Sequence, residues 1–279
     1  MWRLGTSAAD SFDRGMDDMN LLVVLKQVPD TDAQIRIKDG KLDTSGVKFV
    51  VNPYDEFAIE EALRIKEKRG EVKITLLTLG PKRAVEALKS GLALGADEAF
   101  HLVHETIDGS DPYLSAFVLA KAIQKLEADI ILCGKQGIDY YCEQTGIILA
   151  ELLNLPHVAV VTKLEISDDG KQVTAHREID GGIEVVESPV PLVVTAQKGL
   201  NEPRYASLKG IMAVRTKKIE EWSLQSLGLT PDEISGQARV NYESVTTPPS
   251  KPPAKIIQGE ARDAARELVK ILIEEAKVI

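Results

Sequence analysis

Two cysteines and four histidines are the side chains best suited to hold a metal or to pair as nucleophile and base. Their spacing supports neither task. His101 and His104 lie three residues apart on a strand-like segment, without the flanking Cys or His that a zinc site needs. Cys133 ends an apolar run and reads as core. Cys142 sits in a polar loop where it can line a site, and neither thiol has a histidine near it. The chain also lacks a P-loop, a strand-linked GxGxxG and a GxSxG elbow. No catalytic residue and no metal ligand is therefore expected.

Three other clusters have the makings of a ligand site. They are Asn52-Pro53-Tyr54-Asp55, Gly80-Pro81 and the loop from Gly134 to Gly146 (GKQGIDYYCEQTG). In open α/β sheets, ligands bind at the carboxyl ends of the strands. The long loop brings backbone N–H groups, Lys135 and the Thr145 hydroxyl to a helix start, where orphan donors and the helix dipole favour a phosphate. An anionic or nucleotide ligand fits this arrangement, and so does a helix capped by its own side chains.

The surrounding elements predict where those loops sit. Leu21 to Lys26 (LLVVLK) is a continuous apolar run, as in a strand buried on both faces. Short strand-like pieces at Gln34–Ile37 and Val47–Val51 flank the Asp39-Gly40 turn. Asn52 and Asp55 suit a capping box around Pro53, opening a helix that runs out near Gly70. Strands at Val72–Leu79, Ala99–Val103 and Asp129–Cys133 alternate with helices at Arg83–Leu94, Pro112–Leu126 and Gln144–Leu153. That alternation implies a doubly wound, mostly parallel α/β sheet with right-handed crossovers, Rossmann-like in type. After Pro156, strands at Val158–Ile166, Gln172–Ile179, Ile183–Glu187 and Leu192–Gln197 are expected to extend it through antiparallel pairs. Leu208–Lys217 reads as one short helix.

Residues 1–18 are expected to be an extension ahead of an α/β domain spanning 19–245, followed by a proline-rich linker and helical arm over 246–279. The arm helix, Ala261 to Val278, carries an apolar stripe of Ala265, Leu268, Val269, Leu272, Ile273 and Ala276. It must bury that stripe on its own domain or on a partner. With 34 Lys+Arg against 43 Asp+Glu the net charge is -9, which disfavours nucleic acid and anionic membrane surfaces. No apolar run approaches the roughly 20 residues that span a bilayer. Two cysteines imply no disulfide framework, and the acidic first residues suit neither a signal nor a transit peptide. A cytoplasmic location is expected.

Several segments together resemble the beta subunit of electron-transfer flavoproteins, from Met19 to the C-terminus. They are NLLVVLKQVPDT, VNPYDEFAIEEALRIKEK, GKQGID…CEQTG, HREIDGGIE and PLVVTAQKGLNEPRYASLKGIMAVRTKKIE. The resemblance implies a heterodimer whose larger alpha subunit holds the redox-active FAD, while the beta subunit packs on that flavin and binds AMP without a redox role. The AMP-contacting pattern falls on Val24, Asn52, Pro53, Tyr54, Asp55 and Gly80, and on Gly134, Lys135, Gln136, Gly137, Ile138, Asp139, Cys142, Gln144, Thr145 and Gly146. Tyr140 and Tyr141 depart from it, since relatives place small or acidic residues there.

Electron-bifurcating members of the family hold a second FAD in place of AMP and oxidise NADH. Bulky Tyr140 and Tyr141 place this chain nearer the AMP-binding branch. Thr31 and Glu178 align with flavin-facing positions, Glu178 being paired with an arginine of the alpha subunit. Leu208 aligns with the apolar anchor of a recognition loop that docks the dehydrogenase, with Arg204 and Tyr205 beside it. The lysines methylated in some relatives are replaced by Ala213 and Thr216. The implied partners are an acyl-CoA or similar dehydrogenase as donor and a quinone-linked or iron–sulfur oxidoreductase as acceptor. A stand-alone adenylating protein is a third reading, and the missing glycine-rich pyrophosphate loop argues against it.

Overall fold

The computed structural model describes residues 19–38, 40–107, 109–251 and 253–279, so the N-terminal extension expected over 1–18 lies outside the described residues. The chain forms two compact units, one of residues up to 34 with 44–243, the other of 35–43 with 244–279.

The first unit is built on a mostly parallel sheet. Its strand β1 is Met19–Val24, and β2 is Gln27–Pro29. The small hairpin β3 (Arg36–Lys38) and β4 (Lys41–Asp43) belongs to the second unit. Then follow β5 (Phe49–Val51), α1 (Pro53–Arg69), β6 (Val72–Gly80), α2 (Val85–Leu94), β7 (Glu98–Val103) and α3 (Pro112–Ile123). Next come β8 (Ile130–Gly134), α4 (Thr145–Leu153), β9 (His157–Ile166), β10 (Gln172–Ile179), β11 (Gly182–Pro189) and β12 (Leu192–Ala196). The first unit closes with α5 (Leu208–Ala213), β13 (Ile219–Trp222) and α6 (Pro231–Gln237).

Among the described residues the large sheet runs β11-β10-β9-β12-β8-β1-β6-β7-β13. It is parallel from β9 through β13 in space, and only β9–β10 and β10–β11 pair antiparallel. The apolar β1 sits at its centre because both its faces must be covered. Leu21 and Val23 pack into one core with α1 and α2, while Leu22 and Val24 pack into the other with α3 and α4. The chain leaves β1 toward β6 on one side and later returns as β8 on the other. The carboxyl end of β1 is thus a topological switch point.

One expectation about the sheet needs correction. The strand after Pro191 does not continue the antiparallel edge, since β12 inserts in parallel between β8 and β9. All five of its residues are buried, so it needs a cover on both faces, which an edge cannot give. After residue 217, where the sequence suggests no element, β13 and α6 form beyond the short helix. β13 pairs with β7 and lays Trp222 on Phe100, ring centroids 4.7 Å apart. Helix α6 opens on a capping box between Thr230 and Glu233.

In the second unit, α7 (Ala261–Glu274) buries no residue. Leu268, Val269 and Ile273 of its apolar stripe are about half exposed. No helix of the described residues is long and apolar enough to cross a membrane.

Candidate functional site

The carboxyl ends of β1, β6 and β8, with the loop after β8, enclose a cleft of about 100 Å³. The motif at Asn52 to Asp55 shapes it, although not as the expected capping box. Asn52 stands at the N-cap of α1 with no side-chain cap bond. Its amide Nδ2 donates to the Gln136 carbonyl at 2.8 Å, and its Oδ1 accepts the Ile138 N–H at 3.2 Å. Asp55 takes the Lys26 N–H at 2.7 Å on one oxygen and the Gly134 N–H at 2.9 Å on the other. Both side chains therefore tie α1 to β1 and to the long loop. Burial pushes the Asp55 carboxyl up to about 7 against the pull of those donors.

Glycines make this junction possible by close approach. A Cβ on Gly134 would meet the Tyr54 carbonyl carbon at 2.7 Å, and one on Gly146 would meet Cys133 Sγ at 2.7 Å. The loop between them is strained. Tyr141 and Glu143 take left-handed φ of 53° and 54°, a rare conformation for bulky side chains. Strain of this kind persists where the surroundings hold it; here the Tyr141 N–H donates to the Gly137 carbonyl at 3.0 Å and Lys135 pairs with Glu143 at 2.9 Å.

Of the positions expected to contact a nucleotide, Val24, Asn52, Asp55, Gly134, Lys135, Gln136, Gly137, Asp139, Cys142, Gln144, Thr145 and Gly146 line the cleft. Pro53, Tyr54, Gly80 and Ile138 do not. Tyr54 lies under the Lys135 ammonium, 5.5 Å from ring centroid to Nζ. The Gly80 carbonyl accepts the His104 N–H at 3.0 Å and faces His101 Nε2 at 3.2 Å. His101 is fully buried, and the described residues contain no cluster of His, Cys, Asp or Glu fit to hold a metal. Cys133 is core, its thiol pushed up to about 12 by burial and the nearby Asp55, which makes it unreactive.

Lys26 is the member that sequence reasoning missed. Its Nζ pairs with Asp139 at 2.7 Å, and the side chain is 23% exposed. The clue was a lysine ending a strand otherwise wholly apolar. Leu79 and, one helical turn apart on α3, Ser115 and Leu119 complete the wall.

The donor set suits a phosphorylated heterocycle. Leu25, Leu79, Leu119 and Leu149 offer apolar faces, Lys26 and Lys135 offer cations, and α4 begins without a side-chain cap on its first N–H groups. Lys135 is paired with Glu143 at 2.9 Å. A cleft of about 100 Å³ is nonetheless below the roughly 300–1,000 Å³ of ligand pockets.

The positions expected to dock a dehydrogenase lie outside the cleft. Tyr205 and Leu208 are 98% and 82% exposed, an unusual degree for large apolar groups, and Ile211 and Met212 join them. Arg204 anchors this exposed run on α1. Its guanidinium bonds Glu60 at 2.8 and 3.0 Å and also bonds Glu67. Burial opposes charge on Glu60, yet Arg204 and Arg64 hold its carboxyl below the usual range. Ser207 caps α5 by accepting the Gly210 N–H, and Gly210 lies so close to the Ala93 carbonyl that no Cβ fits.

Of the positions expected to face a flavin, Thr31 is exposed beside Asp30, and Glu178 is exposed while accepting the Gln197 amide at 2.8 Å.

A mostly parallel sheet flanked by helices, with a cleft at its central switch point, defines a doubly wound, Rossmann-like α/β protein. The electron transfer flavoprotein domain matches residues 39–227 of this chain. The electron transfer flavoprotein subunit beta of Bacillus subtilis is 42% identical over 262 residues, 94% of this chain and 100% of that protein. That of Thermoanaerobacterium thermosaccharolyticum is 38% identical over 91% of this chain and 98% of its own length. The electron transfer flavoprotein subunit beta, mitochondrial, of Oryza sativa subsp. japonica is 35% identical over 94% of this chain and 100% of its own length. This chain belongs to the electron transfer flavoprotein family, among its beta subunits.

Proposed function

We propose that the chain pairs with an electron-transfer flavoprotein alpha subunit, binds AMP in the cleft around Lys26 and Thr145, and docks a dehydrogenase through Arg204, Tyr205 and Leu208. The FAD of the alpha subunit carries the electrons, from an acyl-CoA or similar dehydrogenase to a quinone-linked or iron–sulfur oxidoreductase. This chain's own part is positional. Thr31 and Glu178 face the flavin, α1 holds both the cleft and the docking run, and the exposed stripe of α7 covers the partner. The free thiols Cys133 and Cys142 accord with a cytoplasmic location.

The observation that carries the reading is the convergence of Lys26, Lys135 and the uncapped start of α4 on one apolar-walled cleft at the switch point. Lys26, Thr145 and Gly146 are the groups that would hold the phosphate, and the leucines would hold the base. Co-expression with the alpha subunit, followed by acid release of bound nucleotide, tests it. One AMP and one FAD per heterodimer are expected. Two flavins and no AMP would establish the electron-bifurcating alternative, with NADH as the reductant. A soluble, redox-active chain without an alpha subunit would overturn both.

Docking has its own test. Leu208→Ala is expected to slow electron transfer from the dehydrogenase about tenfold or more, since a buried apolar anchor is worth ~2 kcal/mol or more at an interface. FAD content stays unchanged, because Leu208 is exposed in this chain. Loss of FAD instead assigns Leu208 a structural role.

A further inference from the structure

One feature of the cleft's rim has no counterpart in the resemblance, which places small or acidic residues at Tyr140. Tyr140 lines the cleft and is 36% exposed, which sets it at the mouth. Its ring meets that of Tyr242, centroids 5.9 Å apart and planes tilted by 44°. Tyr242 comes from the segment after α6, more than a hundred residues away in sequence. Asp111 latches that segment: its Oδ2 accepts the N–H groups of Arg239 at 2.6 Å and Val240 at 3.0 Å, while Oδ1 caps α3 through Leu114. The Arg239 guanidinium lies over the Tyr113 ring, 4.8 Å from its centroid. The Tyr242 hydroxyl reaches the Ser110 carbonyl at 3.4 Å, next to Gly109 of the cleft wall. On the inner side Lys26 Nζ stands 5.2 Å from the Tyr140 ring centroid, and the Tyr140 N–H donates to Asp139.

The rim is therefore an aromatic pair with its outer member on a latched strap and its inner member beside the Lys26–Asp139 ion pair. Tyr140 lines a cleft of about 100 Å³, and Tyr242 backs its ring from outside. We propose that Tyr242, stacked on Tyr140, is a specificity-determining residue of the nucleotide cleft, which retains a nucleoside monophosphate and excludes a dinucleotide whose second half would have to cross the rim. The inference rests on the nucleotide reading of the cleft and deepens it. An aromatic pair contributes enough beyond its buried area to slow opening several-fold to about tenfold. Tyr242 is 52% exposed, so truncating it leaves the core intact.

The test uses the heterodimer loaded with radiolabelled AMP and chased with unlabelled AMP, ADP or FAD. Tyr242→Ala is expected to release AMP several-fold to about tenfold faster than the parent, and to narrow the preference for AMP over FAD. Tyr242→Phe, which keeps the ring, is expected to stay near the parent. A thermal melt of each variant checks the fold. If the parent retains AMP and Tyr242→Ala releases it at the parent's rate with unchanged selectivity, the gate is overturned while the nucleotide site stands. If the parent takes up no AMP at millimolar concentration, the nucleotide reading falls, and the gate with it.

Discussion

Asp55→Ala is expected to destabilise the protein by about 2–6 kcal/mol and to abolish nucleotide retention in the cleft. The carboxylate is 5% exposed and bridges the N–H groups of Lys26, just beyond β1, and of Gly134, which ends β8. Alanine leaves both donors buried and unpaired, at roughly 1–3 kcal/mol each. Asp55→Asn keeps the size but turns one oxygen into an NH₂ group facing an N–H, so about half the loss remains. The pH dependence separates the carboxyl's charge from its shape. Burial raises its pKa from 3.8 to about 7, so between those values the folded chain keeps a proton that the unfolded chain has released. Asp55's contribution is present in full below about pH 4 and is lost as pH rises toward 7. Denaturant melts from pH 4 to 8 should show stability falling across that window in the parent and levelling in Asp55→Asn. A parent profile as flat as that of Asp55→Asn through the same window would show Asp55 to be charged throughout.

The same residue shows how far sequence carries. Apolar runs such as LLVVLK and the helix spacing that follows encode the parallel sheet directly, because a strand covered on both faces has no other composition. The loop from Gly134 to Gly146 is equally visible, as donors and glycines ahead of a helix. Asn52 and Asp55 are visible only as types. Locally they suit a cap, and the fold redirects them across 84 and 79 residues to Gln136 and Gly134. β12 misleads for the same reason, since the buried run LVVTA beside a meander fits either an edge or the interior until β8 claims it. Lys26 with Asp139 and Tyr140 with Tyr242 depend on contacts that no local pattern carries. The exposed Tyr205 and Leu208 read as ordinary core without their surroundings. Their meaning comes from exposure, which Arg204 enforces by clamping the preceding backbone to α1.

Gly134→Ala should reach the same junction from the opposite side. Gly134 has no unusual φ, so alanine's backbone preferences are no obstacle. The obstacle is space, because the added Cβ would stand 2.6 Å from Tyr54 Cβ and 2.7 Å from the Tyr54 carbonyl carbon, and would also strike the Asp55 carboxylate. A side-chain tip can swing away, but the first turn of α1 cannot move without dragging Asn52 and its two bonds to the long loop. Overpacking of this kind costs about 1–3 kcal/mol. Stretching the Asp55–Gly134 bond adds roughly 1–3 more, for a total of about 2–6 kcal/mol. At about 2–4 °C per kcal/mol for a domain of this size, the melting temperature falls by roughly 4–24 °C. A double-mutant cycle shows whether the two predictions share one cause. If alanine at 134 acts by displacing the Asp55 carboxylate, Gly134→Ala/Asp55→Ala loses clearly less stability than the sum of the single losses, with a coupling of about 0.5–3 kcal/mol. Strict additivity would mean that α1 and β8 bear the strain elsewhere, and that Asp55 is not the tie between them.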